Sequence, residues 1–179
     1  MPYTIVNSYL SCNSVAVALI CKSGNSSIRE VSEEWYVGNY EAKDWPLRLA
    51  FIREPFDRFC SAYSFFSQCY WKNTGYCRET EEAAAKSYYE FVNFALTHTD
   101  EHWDEQGKSL LFNGEYTPTH TIKLDKINEI WPLFATKSLK IINTSVRLPV
   151  CPKYRREELN KMFGGDIELY NSALESFNG

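Results

Sequence analysis

The stretch from residue 49 to residue 63, LAFIREPFDRFCSAY, constrains the fold more than any other part of the chain. It begins with an apolar run typical of a buried strand, and Arg53 follows that run directly. Pro55 then suits the first turn of a helix, because its fixed φ is already close to the helical value. Beyond Pro55, apolar residues recur every three or four positions, which predicts one buried helical face: Phe56, Phe59, Cys60, Tyr63 and Phe66.

A second strand, turn and helix precede that stretch. Residues 15–21 form a continuous apolar run, typical of a central parallel strand covered on both faces. The short polar turn KSGNSS follows at residues 22–27, and a helix begins at Ile28. In this geometry, backbone N–H groups and the positive end of the helix can hold an oxyanion.

The rest of the chain adds further predicted elements. Residues 139–142 predict a third apolar strand, and residues 116–124 a short one. Helices are predicted over residues 81–97, with Thr80 as N-cap, over 125–134, and as a pair over 155–177 interrupted by two glycines. The sequence thus predicts a single domain over residues 1–179, of the α/β class, with three layers and a central, mainly parallel sheet flanked by helices.

Two arginines and a hydroxyl surround the predicted junction between strand and helix. Arg53 lies at the carboxyl end of the strand, where open α/β sheets bind ligands. Arg58 and Ser61 are three residues apart, so both can reach the same opening on one helix face. Such a set predicts an anion clamp. The alternative is that Arg58 forms a buried pair with Asp57 and has a structural role only.

Composition limits the partners and the compartment. The net charge of −4 argues against a general nucleic-acid binder, so any anion site must be local. The sequence has neither a run long enough to span a membrane nor a signal peptide, which predicts a cytoplasmic protein without membrane association. The six cysteines lack zinc-site spacing, and Cys21 and Cys60 are expected to be buried, reduced thiols. Cys69 and Cys77 could pair if the compartment allowed it.

Several of these segments resemble motifs of one enzyme family. The pattern Arg-x-Pro-x-x-Arg-x-x-Ser-x-Tyr resembles the 3′-phosphate motif of sulfotransferases that use PAPS (3′-phosphoadenosine 5′-phosphosulfate), and most closely their carbohydrate branch. It is filled by Arg53, Pro55, Arg58, Ser61 and Tyr63. The turn at residues 22–27 resembles the family's loop for the 5′-phosphosulfate, commonly Pro-Lys-x-Gly-Gly-Thr-Ser.

The chain departs from the family pattern at three positions. Cys21 replaces the proline of the phosphosulfate loop, and Asn25 replaces its second glycine. Residues 102–106 resemble a His-Trp-x-Pro-Gln segment of the carbohydrate branch, but Glu105 stands where proline is usual. Residues 166–170 resemble the closing helix of that branch. The resemblance thus extends over nearly the whole chain.

The resemblance implies a sulfotransferase fold related to P-loop NTPases and a reaction that needs no metal. A sulfuryl group would pass from PAPS to a hydroxyl acceptor, a carbohydrate being favoured over a small molecule, with PAP as the product. Lys22 would stabilise the leaving PAP, while Arg53 and Ser61 grip the 3′-phosphate. Arg58 would share that task or hold its helix to the sheet. The 5′-phosphate would lie against Ser23, Gly24, Asn25, Ser26 and Ser27.

A general base must take the proton of the acceptor. His102 is the first choice because it lies in a family-like segment, and His98, His120 and Glu30 are the other candidates. Alternatively, His102 packs a helix end or binds the acceptor. A nucleotide kinase of the P-loop type is a competing function, although the lysine precedes the glycine here. A degenerate protein that binds PAP without turnover is another.

Overall fold

The structure, a computed structural model, describes residues 8–12, 15–24, 27–28, 36–37, 45–67, 87–135, 137–140 and 154–174. The strands in these ranges are β1 (Ser8–Cys12), β2 (Val15–Leu19), β3 (Tyr36–Val37), β4 (Leu47–Ile52), β5 (Leu111–Phe112), β6 (Glu115–Tyr116) and β7 (His120–Lys123). The α-helices are α1 (Pro55–Ser67), α2 (Tyr88–Ala95), α3 (Ile127–Ile130), α4 (Arg156–Met162) and α5 (Gly164–Ser172). Short 3-10 turns cover Gln106–Leu110, Leu124–Lys126 and Trp131–Leu133.

Five strands form one sheet in the order β3-β1-β2-β4-β7. The strands β2, β4 and β7 run parallel, and they bring the carboxyl ends of β2 and β4 side by side. Toward the other edge, β1 is antiparallel to β2, and β3 is antiparallel to β1. The predicted α/β fold with a parallel centre is therefore confirmed, and an antiparallel pair extends one side of the sheet.

Helices cover both faces of the sheet, because alternate strand residues point to opposite sides. On one face, the small residues of β2 and β4 pack against the end of α5 and the 3-10 turn before β5: Ala16, Ala18, Ala50, Leu110 and Ala173. On the other face, larger side chains pack against α3 and its flanking turns: Val17, Leu49, Phe51, Ile122, Ile130 and Trp131. These two buried clusters give the three predicted layers.

A third cluster fixes α1 beside the sheet. It is dominated by aromatic rings that α1 contributes together with α2, α4 and the turn before the 3-10 segment: Phe59, Phe66, Phe91, Trp103 and Phe163. Phe59 and Phe66 are among the residues that the helical periodicity predicted to be buried, and both are fully buried. The strand and helix predicted over residues 49–63 are thus confirmed as β4 and α1.

Two element predictions need correction. The strand predicted over 139–142 is absent at residues 139–140, and 141–142 lie outside the described residues. The third parallel strand is β7, which confirms the short strand predicted over 116–124. Leu139 packs against the core instead, which explains its apolar character. The helix predicted from residue 81 begins at Tyr88, because Ser87 is extended and forms a capping box with Glu90. Thr80, the predicted N-cap, lies outside the described residues.

The cysteine prediction also changes. Cys60 is disulfide-bonded, so its interpretation as a reduced buried thiol is wrong, whereas Cys21 is a free thiol. Cys60 is only partly buried on α1, and helical periodicity cannot show that a partly buried sulfur has a second cysteine within reach. The side chains of Cys69 and Cys77 lie outside the described residues. None of the described helices has the length and apolar character needed to cross a membrane.

Candidate active site

The turn after β2 lies at the carboxyl edge of the parallel strands. Its backbone is tight: the N–H of Ser23 donates to the carbonyl of Ile20 at 3.1 Å, and that of Ile28 to Gly24 at 3.0 Å. Lys22 and Gly24 both have positive φ, of 65° and 85°. A Cβ at Gly24 would also lie 3.0 Å from Leu124 Cδ1, so both φ and packing favour glycine there.

Gln106 joins this turn to the end of β4. Its Oε1 accepts from the Ser23 hydroxyl at 2.7 Å and from the Arg53 backbone N–H at 2.9 Å. Its Nε2 donates to the carbonyl of Arg53 at 2.8 Å. The Gln106 side chain is fully buried, so these bonds are made away from water. The Gln106 side chain thus links the turn after β2 to the end of β4, the two segments that are predicted to bind an anion.

Asp166, in the first turn of α5, holds the segment that carries Gln106. Its two carboxylate oxygens accept from the backbone N–H groups of Gln106 at 2.7 Å and Gly107 at 2.9 Å. The carboxyl group is 1% exposed, and this burial raises its pKa, while the two backbone N–H groups oppose the rise. The buried carboxyl therefore satisfies the backbone donors that begin this 3-10 turn.

Arg58 is buried in α1 and hydrogen-bonds to carbonyl oxygens. Its Nε donates to Cys21 at 2.9 Å, its Nη1 to Asp104 at 2.5 Å and its Nη2 to Glu101 at 2.6 Å. Burial lowers the pKa of the guanidinium, with the negative charge of Asp166 opposing that effect. These contacts hold α1 to the turn after β2 and to residues 101–104. They support the prediction that Arg58 holds its helix to the sheet. Asp57, the residue with which Arg58 was alternatively expected to form a buried pair, is exposed.

Lys22 reaches the aromatic cluster. Its Nζ lies 3.5 Å from the centroid of the Phe65 ring, a cation–π contact. Burial lowers the pKa of Lys22 to about 8, and the positive charges of Arg53 and Arg58 act in the same direction, while Cys21 opposes them. An anionic ligand would stabilise the charged form of a lysine in this environment, because the anion would offset both the desolvation and the repulsion from the two arginines.

His102 contacts the same aromatic ring, Phe65, as Lys22. Its ring is stacked against Phe65 with centroids 5.6 Å apart and meets Phe66 edge-on at 5.2 Å. Its Nδ1 is 2.6 Å from Asp100 Oδ1, and the side chain is 4% exposed. A ring nitrogen of His102 lies within 4.8 Å of Cys21 Sγ, beside the turn that carries Lys22. Aromatic packing and one carboxylate therefore orient this imidazole.

The other predicted residues are placed as follows. Arg53 follows β4 directly and is partly buried, and Ser61 is partly buried on α1, three residues beyond Arg58. Ser27 lies in a helical turn after Gly24. Asn25, Ser26 and Glu30 are outside the described residues. The structure thus brings together the Ser23 hydroxyl and the Arg53 backbone through Gln106, with Lys22 and His102 close by.

The remaining base candidates lie elsewhere. His98 is exposed and stacks on Phe94, with centroids 3.9 Å apart. His120 begins β7 at the amino end of the parallel strands, opposite to the site. At that same end, a surface depression of about 260 Å³ is lined by Arg48, Glu115, Tyr116 and Thr117. We place the candidate site at the carboxyl edge instead, because the oriented polar groups lie there.

Sequence reasoning missed the roles of Gln106 and Asp166. Both lie in segments that resemble the carbohydrate branch of the family. That resemblance was the one sequence signal that could have pointed to them. The departure at Glu105 is compatible with the backbone: its φ of −54° is one that proline also adopts. Its carboxylate accepts from the Gly165 N–H at 3.2 Å and lies 3.3 Å from Lys108 Nζ.

Comparison with known proteins supports one family. A model described as the sulfotransferase family matches residues 6–111, which is well over half of the chain. The match covers the turn after β2, the strand–helix unit of β4 and α1, and the segment with His102 and Gln106. Searches of curated proteins and of solved structures gave no match.

Proposed function

Because the chain belongs to the sulfotransferase family, we propose that it transfers a sulfuryl group from PAPS to a hydroxyl acceptor. The observation that carries this proposal is the bridge made by Gln106, which ties Ser23 to Arg53 at 2.7 and 2.9 Å. The bridge joins the loop proposed for the 5′-phosphosulfate to the arginine proposed for the 3′-phosphate. A donor with phosphates at both ends would span these two segments.

The proposed reaction is an in-line displacement at sulfur. The bond from sulfur to the bridging phosphate oxygen breaks, and its electron pair stays with PAP. Lys22 stabilises the charge that grows on that oxygen, since electrostatic stabilisation is a main source of catalysis in such transfers. A new bond forms between sulfur and the acceptor oxygen, and the acceptor proton passes to His102 Nε2.

Asp100 supports the base role of His102. An ionised carboxylate only accepts hydrogen bonds, so the 2.6 Å contact with Asp100 Oδ1 requires the proton on Nδ1. The lone pair of a neutral imidazole is then on Nε2. Asp100 is a positioning residue in this account, because it acts through His102 and does not touch the acceptor.

Arg53 and Ser61 are proposed to bind the 3′-phosphate, with Gly24 and Ser27 at the 5′ end. A guanidinium suits a phosphate because its planar donors pair with two oxygens at once. Arg58 is left out of direct donor contact, since its nitrogens already donate to three carbonyl oxygens. A carbohydrate hydroxyl remains the proposed acceptor, on the family resemblance alone.

A cytoplasmic location also stays a prediction. The disulfide at Cys60 counts against it, because reducing compartments rarely keep structural disulfides.

The test is a transfer assay with radiolabelled PAPS and a panel of glycan and small-molecule hydroxyl acceptors. We expect labelled product and an equal amount of PAP, and we expect Lys22→Ala to lower turnover more than donor binding. Binding of PAP without transfer to any acceptor would favour a non-catalytic protein. Binding of ATP in preference to PAP would contradict the proposal and favour a nucleotide kinase.

A further inference from the structure

Phe65 contacts both of the side chains to which the proposed reaction gives a chemical role. The Lys22 ammonium lies 3.5 Å from the centroid of the Phe65 ring. The His102 imidazole stacks on the same ring, with centroids 5.6 Å apart and an angle of 12° between the two planes. The proposed reaction itself gives Phe65 no part. The ring is therefore an unassigned link between the group proposed for the leaving oxygen and the proposed base.

The helix α1 fixes the place of this ring. Phe65 lies seven residues after Arg58, which is two helical turns, so both side chains lie on the same face of α1. Arg58 donates to the carbonyl oxygens of the residues directly before Lys22 and His102, at 2.9 and 2.6 Å. The buried guanidinium thus ties α1 to the two segments that bring Lys22 and His102 to the ring.

Charged neighbours act mostly against the charge of Lys22. Burial lowers its pKa to about 8, and Arg53 and Arg58 act in the same direction. A negative charge on Cys21 would oppose them, but burial raises the pKa of that thiol to about 12, so it is uncharged at neutral pH. The titratable and charged groups around the two contacts come from the turn after β2, the end of β4, α1 and residues 100–104: Cys21, Arg53, Arg58, Asp100, Glu101 and Asp104.

The aromatic ring acts in the opposite direction to burial and to the two arginines. The face of an aromatic ring carries partial negative charge and attracts a cation, most strongly where water is excluded. Lys22 Nζ lies over that face of Phe65. The ring therefore favours the charged form of Lys22, which is the form that can stabilise a leaving oxygen.

His102 depends on the same ring for its orientation. Phe66 meets the imidazole edge-on at 5.2 Å, and Asp100 Oδ1 lies 2.6 Å from Nδ1. Phe65 adds the stacked contact, which restricts the plane of the imidazole. Because the ammonium and the imidazole both contact one ring, a displacement of Phe65 changes the distance between them.

From these contacts we propose that Phe65 is a positioning residue for the transfer: its ring keeps the Lys22 ammonium charged and holds it at a fixed distance from the His102 imidazole. In-line displacement places the leaving oxygen and the acceptor oxygen on opposite sides of sulfur, so the groups that serve them must keep a fixed separation. This role rests on the proposed function. The effect of the ring on the charge of Lys22 does not depend on it.

Stepwise fluorination of Phe65 tests the contact with Lys22. Phenylalanine carrying one, two or three fluorine atoms at position 65 has an electron-poorer ring face and nearly the same shape. We expect the Lys22 pKa, measured by NMR of isotope-labelled lysine, to fall by about 0.4 to 1.5 over the series. Phe59 is the matched control, because it is fully buried on the same helix and contacts Phe91 and Phe163. Its fluorination should leave the Lys22 pKa unchanged.

Transfer kinetics test the positioning role. We expect kcat to fall about 2- to 30-fold over the Phe65 series, with little change in the KM of the acceptor, because Lys22 is less charged and less fixed. The alkaline limb of the pH profile of kcat/KM, which reports groups of the free enzyme, should move to lower pH together with the Lys22 pKa. Phe65→Tyr keeps the ring face and should keep turnover. Phe65→Leu keeps only apolar bulk and should lose turnover as the trifluorinated protein does.

An unchanged Lys22 pKa across the Phe65 series would overturn the inference, and so would an equal fall in the Phe59 series. A falling pKa with wild-type turnover throughout would also overturn it, because Phe65 would then have no positioning role. Failure of the proposed function is distinguishable from these results. It appears as absence of transfer by the wild type, whereas the lysine measurement needs neither donor nor acceptor.

Discussion

Lys22 combines a left-handed backbone, a cation–π contact with Phe65 and a pKa lowered to about 8. Burial of the lysine charge costs stability, and an anionic ligand would offset that cost. The proposed function supplies that anion as the phosphosulfate of the donor.

A pH dependence of donor binding follows from this lowered pKa. Below about pH 8 Lys22 is charged and attracts PAP; above it the free protein loses the proton. We expect PAP affinity to fall by up to about tenfold for each pH unit above that value. Calorimetry across this range, with Lys22→Arg as the control that stays charged, measures the effect. Equal pH dependence in both proteins would remove Lys22 from the site.

His102 and Asp100 give a second prediction at this scale. His102→Ala should lower kcat about 10²- to 10⁴-fold, the usual contribution of a general base, and leave PAP affinity unchanged. Asp100→Asn should lower kcat less, with little change in KM, because the ring remains but loses its fixed proton position. His98→Ala is the control. A fully active His102→Ala variant would rule out the base assignment.

At the scale of elements, the site depends on the short segment from His102 to Gly107. This segment contacts the turn after β2 through Gln106, α1 through the bonds of Asp104 and Arg58, and α5 through Asp166. Regular periodicity predicts none of these contacts, because each depends on a single side chain that bonds to a residue far away in sequence.

Asp166 provides the element-scale prediction. Asp166→Asn places an amide N–H where the backbone N–H of Gln106 or Gly107 now donates, which leaves a buried donor unpaired. We expect a loss of about 1–3 kcal/mol in the free energy of unfolding, and weaker PAP binding as Gln106 shifts. Urea unfolding measures the first effect. Asp125→Asn, at an exposed side chain, should leave both properties unchanged.

Several elements could be predicted from the sequence and others could not. The units β2–turn and β4–α1 have strong local signals, an apolar run followed by a polar turn or by proline. In contrast, β7 has four residues and only Ile122 is buried, so its apolar signal is weak and the strand predicted around it was bounded only loosely, as 116–124. The start of α2 differs from the prediction because the helix begins at a capping box of Ser87 and Glu90, inside a stretch whose sequence predicts a helix from residue 81.

For the site, family-like motifs suggested the candidate residues, and the structure adds what several of them contact. The sequence left Arg58 with two roles, and its burial with three carbonyl partners supports the role of holding its helix in place. The bridging role of Gln106 arises from contacts over 53 and 83 residues of chain, which no local pattern encodes.

At the scale of the whole molecule, the disulfide at Cys60 bears on stability and compartment. We expect reduction to lower the free energy of unfolding by about 2–4 kcal/mol, because a disulfide restricts the unfolded chain. Denaturant unfolding with and without reductant measures this. Cys21→Ser, at a free thiol, should keep the response, and Cys60→Ser should lose it. An identical midpoint in both conditions for the wild type would contradict a stabilising disulfide.

The most direct test of the central claim is a calorimetric titration with PAP and with AMP, which lacks the 3′-phosphate. The wild type should bind PAP about 10- to 100-fold more tightly than AMP, the range of one charge-assisted hydrogen bond or two. Arg53→Ala should remove most of that difference. Arg48→Ala, on the same strand but at its opposite end, should preserve it. Equal binding of PAP and AMP by the wild type would contradict the 3′-phosphate site and, with it, the proposed PAPS donor.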